Sequence, residues 1–111
     1  MGIENVGEGI ILVTLPAEPK ISDELKNINE IVSSRNDCDV IIDFSNIEIV
    51  TSFSISNLMI LRSMLREQGH QLILCKVAVP TKCIFTVAGL DAVFEFAEDK
   101  ESALAAVQHT S

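Results

Sequence analysis

The chain contains no tryptophan and no tyrosine, and its five aromatic side chains are all phenylalanine. A surface that stacks nucleobases on aromatic rings is therefore not expected. Basic residues are scarce as well: eight Lys and Arg stand against sixteen Asp and Glu, a net charge of -8. A phosphate backbone would be repelled, so nucleic acid is not an expected partner. The acidic balance fits either a soluble surface or a partner with a basic face. Only three cysteines occur, Cys38, Cys75 and Cys83, widely spaced and without a C-x-x-C pair. With two histidines besides, no metal site or redox centre is expected, and Cys75 inside "QLILC" reads as a small buried apolar residue.

Long apolar runs are missing too. None approaches the roughly 18 residues that a membrane span needs. The start, "MGIENVGEG", has no basic cluster ahead of an apolar region, and Val6 occupies the place where a myristoylation motif wants a hydroxyl. A cytoplasmic protein is expected. No G-x-S-x-G, G-x-x-x-x-G-K-[ST] or G-x-G-x-x-G occurs. Gly7 and Gly9 precede the first strand pattern, the wrong side for a dinucleotide site. His70 and His109 read as exposed polar residues. No catalytic residue, cofactor or metal is assigned, and an enzyme is not expected.

What remains is a well-patterned globular chain: 111 residues, 48% of them apolar, enough for one domain over residues 1–111 with its own core. "GIILVTL" reads as a strand closed by Pro16 and Pro19. Ser22 is the expected N-cap of a helix over residues 22 to 34, with Leu25, Ile28, Ile31 and Val32 at helical spacing. "DVIIDF" is a continuous β-branched run, as in a strand covered on both faces. Ile55, Leu58, Met59, Arg62 and Leu65 trace one face of a second helix, with Arg62 its one polar member and Gly69 the residue that ends it. "QLILCKV" is the next strand, residues 81 to 88 a short helix, "AVFEFA" a short strand and "DKESALAAVQH" the last helix. Strands alternating with helices imply a largely parallel α/β sheet with crossover helices.

One junction is unusual. In "DFSNIEIVTSFSISNLM", Asp43 to Met59, hydroxyls crowd the point where a buried strand leads into a helix. The first amides of a helix lack internal partners, and that end is weakly positive. Thr51 or Ser52 as N-cap would satisfy one such amide and need no function. A phosphate there would instead face the amides of Phe53, Ser54 and Ile55 and add about -1.5 to -2 charges to one surface spot. The same amides, over residues 52 to 55, could hold the anionic part of a small ligand or nucleotide. The residues alone leave these readings open.

Here the sequence resembles a known family, the STAS domains, and among them the small anti-sigma factor antagonists. Their central motif runs from a strand through Asp-Leu/Phe-Ser and a short apolar segment to Asp-Ser-Ser-Gly opening a helix. "DFSNIEIVTSFSI" has that spacing. Downstream, the family's "GL-D-x-V-F" turn and strand followed by a helix with "A-L" is similar to "AGLDAVFEFAEDKESALAAV", Ala88 to Val107. The resemblance covers essentially the whole chain. It implies a STAS-like fold, a mostly parallel sheet of four to five strands with about four helices. It also implies a non-enzymatic switch that binds an anti-sigma factor with serine kinase activity, is released by phosphorylation and is reset by a phosphatase. Carried to this chain, the phosphoacceptor falls on Ser52, with Thr51 as second candidate. The docking face would comprise Thr51, Ser52, Phe53, Ser54, Ser56 and Asn57, with Arg62 or Arg66 further along the helix. The chain departs from the motif where Thr51 replaces Asp, Phe53 the second Ser and Ser54 the Gly. Other members of the family are unphosphorylated scaffolds of stress-signalling assemblies, helper subunits of lipid transporters, or cytoplasmic domains of anion transporters, which the length argues against. Self-association stays open.

Overall fold

The computed structural model describes residues 3–7, 9–16, 20–34, 38–47 and 50–109, apart from the side chains of Ser22, Gln108 and His109. Nine elements follow one another among these residues: β1 (Ile3–Gly7), β2 (Ile10–Thr14), α1 (Ile21–Ser34), β3 (Asp39–Asp43), α2 (Ser52–Glu67), β4 (Leu72–Cys75), α3 (Val79–Val87), β5 (Glu95–Ala97) and α4 (Lys100–His109). The strands lie in chain order in one sheet. β1 is antiparallel to β2, and β2, β3, β4 and β5 are mutually parallel. The α/β, mostly parallel architecture expected from the alternation is present.

The period of two in each strand sorts the core into two layers. Ile11, Val13, Val40, Ile42, Leu72 and Leu74 face α1 and α2, whose Leu25, Ile28, Val32, Leu58, Leu61 and Leu65 complete the larger core. The alternate residues Ile10, Leu12, Ile41, Ile73 and Cys75 face α4 through Ala103 and Val107. Burial on both faces is why the middle of β3, Val40 to Ile42, is β-branched. Sequential parallel strands joined by crossovers of one hand place their helices on one side. The last helix connects to no further strand and covers the other. No described helix is long and apolar enough to cross a membrane.

Several boundaries differ from the sequence reading. β1 was not among the expected strands; it pairs as an antiparallel edge, with an irregularity between Asn5 and Gly7, and Gly9 turns the chain at φ 71°. α1 begins at Ile21, and the Lys20 carbonyl accepts the first helical bond from the Glu24 amide, so Ser22 lies within the first turn and is not the cap. Ala92 to Phe94 form a turn, because Val93 and Phe94 both donate to the Leu90 carbonyl; only Glu95 to Ala97 pair with β4. Gly69 ends α2 as expected. At φ 78° it sits in the left-handed region, and the bonds from its own amide to the Arg66 carbonyl and from His70 to the Leu65 carbonyl close a Schellman motif.

The cysteines behave as packing residues in two of three cases: Cys38 and Cys75 are buried and Cys83 is exposed. Burial pushes the Cys75 thiol up to about 11 from 9.0, with the Asp43 carboxylate adding to the effect. A thiol reagent at neutral pH is expected to label Cys83 alone in the native protein and all three after unfolding, as mass spectrometry would count. Because the native thiol holds its proton longer than the unfolded one, stability tied to Cys75 is intact below about pH 9 and falls as pH rises toward about 11. Melting curves across that range read the decline.

Candidate functional site

The carboxyl ends of parallel strands are where an open α/β sheet gathers its functional groups. Here β3 ends in Asp43, which is buried and accepts the Ser45 amide through Oδ1 at 2.7 Å. That bond turns the chain out of the sheet, and Ile47 and Val50 then pin the connection to the core before α2 starts.

The cap of α2 is Thr51. Its backbone is extended (φ -90°, ψ 161°), its carbonyl accepts from the Ile55 amide at 3.1 Å, and its Oγ1 accepts from the Ser54 amide at 3.2 Å. Of the two residues expected as possible N-caps, Thr51 takes the role and Ser52 is the first helical residue. The consequence is chemical. Thr51 already performs the capping, which leaves the Ser52 hydroxyl exposed and, among the described residues, without a hydrogen-bond partner. The amides of Ser54 and Ile55 are occupied, so an anion on Ser52 would meet those of Ser52 and Phe53. No acidic side chain lies in the first turn, so the positive end of the helix is not neutralised there.

The other expected site residues divide by face. Phe53 is 56% exposed, with the Lys26 ammonium 5.4 Å over its ring. This settles its orientation: it points outward and a cation covers it, a contact that contributes about 0.5–1 kcal/mol at such a site. Ser56 is exposed and donates to the Ser52 carbonyl at 3.1 Å. Ser54 and Asn57, expected on the docking face, point inward at 0% and 7% exposure, where Asn57 donates to the Phe53 carbonyl. They belong to the buried stripe Ser54, Asn57, Leu58, Leu61 and Leu65, turned somewhat from the face drawn through Ile55 and Met59. Sequence reasoning missed Ile60, 52% exposed; its place seven residues after Phe53, on the same side of the helix, was the available signal. Arg62 and Arg66 lie near the opposite end of α2, away from Ser52, and line a separate cavity.

The outward face at the helix start is thus Thr51, Ser52, Phe53 and Ser56, continued by Ile60. On the same edge of the sheet a groove of about 630 Å³ opens between the end of β2, the first turn of α1 and Asn46, with Lys20, Asp23 and Glu24 on its wall. Among the described residues no group of His, Cys, Asp and Glu could hold a metal ion.

Comparison with known proteins follows the same outline. Solved structures share the fold at low identity. A serine-to-glutamate variant of RsbS from Moorella thermoacetica is 16% identical, with 97% of this chain and 94% of that one covered and a TM-score of 0.83. An anti-sigma-factor antagonist (STAS) domain protein from Planctomyces limnophilus is 19% identical over 96% and 97%, at 0.81. The Bacillus cell fate determinant SpoIIAA in its phosphorylated form is 15% identical over 95% and 96%, at 0.72. No curated protein sequence matches significantly. The STAS domain family model matches residues 17–103, which takes in β3, the hydroxyl junction, α2 and the "GLDAVF" turn, and the chain belongs to the STAS domain family.

Proposed function

We propose that the protein is a non-enzymatic regulatory switch of the anti-sigma factor antagonist type, acting in the cytoplasm. It binds an anti-sigma factor that is also a serine kinase, is released when that kinase phosphorylates Ser52, and is reset by a phosphatase. The observation that carries the proposal is the division of labour at the start of α2. Thr51 holds the cap, and the neighbouring Ser52 offers an exposed hydroxyl with no structural task. Similar structures support the reading, since one is of a phosphorylated form and another carries glutamate in place of a serine.

Physical chemistry makes the site suitable for a reversible charge. A phosphate on Ser52 would lie at the positive end of α2, beside amides that no first-turn carboxylate competes for. The helix accepts it, while a partner docked over Phe53, Ser56 and Ile60 meets about -1.5 to -2 new charges. Incubation with the cognate kinase and labelled ATP tests the acceptor. Ser52→Ala abolishes incorporation. Thr51→Ala keeps it but costs about 1 kcal/mol of stability through the lost cap. Incorporation that survives Ser52→Ala and disappears with Thr51→Ala would move the switch to Thr51.

A second reading has its own observation. Phe53, where the family pattern has a serine, exposes an aromatic ring of the kind that anchors permanent contacts. On this reading the protein is an unphosphorylated scaffold or helper subunit in a stress-signalling assembly or lipid transporter. It separates from the first in the response of binding to charge at Ser52.

A further inference from the structure

Arg62 is the polar member of an otherwise apolar set on α2, and the Ser52 switch does not account for it. Its side chain is half-buried on the flank of the Leu58, Leu61 and Leu65 stripe. Arg66 follows one turn later on the same side of the helix. With His70, just beyond the Gly69 cap, the two arginines line a cavity of about 380 Å³ whose apolar wall is Leu72, Val93 and Phe94.

The charge at this place runs against the rest of the protein. Acidic side chains outnumber Lys and Arg by sixteen to eight overall, yet Glu95 is the one carboxylate among the residues lining this cavity. Neither guanidinium is in an ion pair among the described residues. Asp39 is engaged elsewhere: its Oδ1 accepts the Gln71 amide at 2.8 Å and lies 3.2 Å from His70 Nδ1, which fixes the imidazole, and it does not line the cavity. Two guanidiniums a turn apart repel each other, and a half-buried cation without a counterion is unfavourable. An anion in the cavity relieves both, and the guanidinium fork matches phosphate and carboxylate oxygens in pairs.

The geometry points to a binding site for a small multivalent oxyanion, a phosphate ester or a dicarboxylate, held by Arg62 and Arg66 at the far end of α2 from the switch. From Ser52 to Arg66 the helix rises about 21 Å, so the ligand does not touch the Ser52 hydroxyl. The volume sits near the lower bound for small-molecule pockets. Of the two rings on the wall, Phe94 is itself buried and the His70 imidazole is held by Asp39, so no free platform for a nucleobase is offered.

Thermal unfolding of the full chain tests the site with inorganic phosphate, glycerol 3-phosphate and malonate, and with glycerol as the uncharged control. At least one anion is expected to raise the melting temperature at millimolar concentration, less so as sodium chloride is added. Arg66→Gln, at an exposed position, weakens that binding about tenfold. The Arg62→Gln and Arg66→Gln double variant loses it, and Ser52→Ala keeps it. A response to the phosphates alone identifies a phosphate group, one stronger for glycerol 3-phosphate than for inorganic phosphate an ester, and one to malonate alone a dicarboxylate. The site is refuted if no anion shifts the transition. It is equally refuted if the double variant responds as the parent does, since general salt stabilisation acts on both alike. Either result leaves the kinase assay on Ser52 untouched.

Discussion

Replacing Phe85 by alanine is expected to lower the stability of the fold by about 3–5 kcal/mol, a large part of the roughly 5–15 kcal/mol that a domain possesses. The ring has no exposed surface and stands edge-on to three others: Phe44 at 6.5 Å, Phe94 at 5.5 Å and Phe96 at 5.6 Å between centroids. Those partners come from the end of β3, the turn before β5 and β5 itself. Each edge-to-face pair adds about 0.5–1.5 kcal/mol beyond burial, and an alanine leaves a cavity that three rings cannot close. α3 has few other attachments, since Thr81 and Phe85 are its two buried residues. The variant should therefore loosen α3 in the native state and reduce the urea m-value along with the midpoint. Urea unfolding with both parameters fitted checks this; a loss below about 1 kcal/mol would mean that the ring cluster is not what fastens α3.

Ser52→Asp is expected to abolish capture of the proposed partner kinase in a pull-down while leaving the fold unharmed. A carboxylate at the first position of α2 meets the positive helix end and two unoccupied amides, so the variant should be more stable than the parent, by about 0.5 kcal/mol. The same charge placed under a docked protein costs several kcal/mol through desolvation and repulsion, which corresponds to a loss of affinity of about a hundredfold or more. Stability and binding thus move in opposite directions, a pattern that misfolding cannot produce. A permanent scaffold would be captured by Ser52→Asp as well as by the parent, and that outcome would favour the second reading.

How far the residues foretold this arrangement differs from place to place. The apolar runs Val40 to Ile42 and Leu72 to Cys75, buried on both faces, announce a parallel sheet, whose strands are covered on either side. β1 escaped because "IENVG" presents the exposed polar residues Glu4 and Asn5 on an edge, where pairing and not burial makes the strand. Thr51 and Ser52 are almost equal as caps by propensity. Which one caps is a tertiary matter, set by the burial of Val50 immediately before the helix. The inward turn of Ser54 and Asn57 was legible in principle, because both share helical spacing with Leu58, Leu61 and Leu65. Their polarity concealed it. The same rotation sets Arg62 on the rim of the stripe, where it reaches a cavity that no local pattern reveals.

The most direct measurement compares the affinity of the purified partner kinase for this protein before and after enzymatic phosphorylation, with the modified residue mapped by mass spectrometry and the helix content followed by circular dichroism. The expected result is one phosphate, on Ser52, a complex that no longer forms and an unchanged spectrum. A phosphate found elsewhere, or a complex that persists with Ser52 phosphorylated, would contradict a switch built on the start of α2.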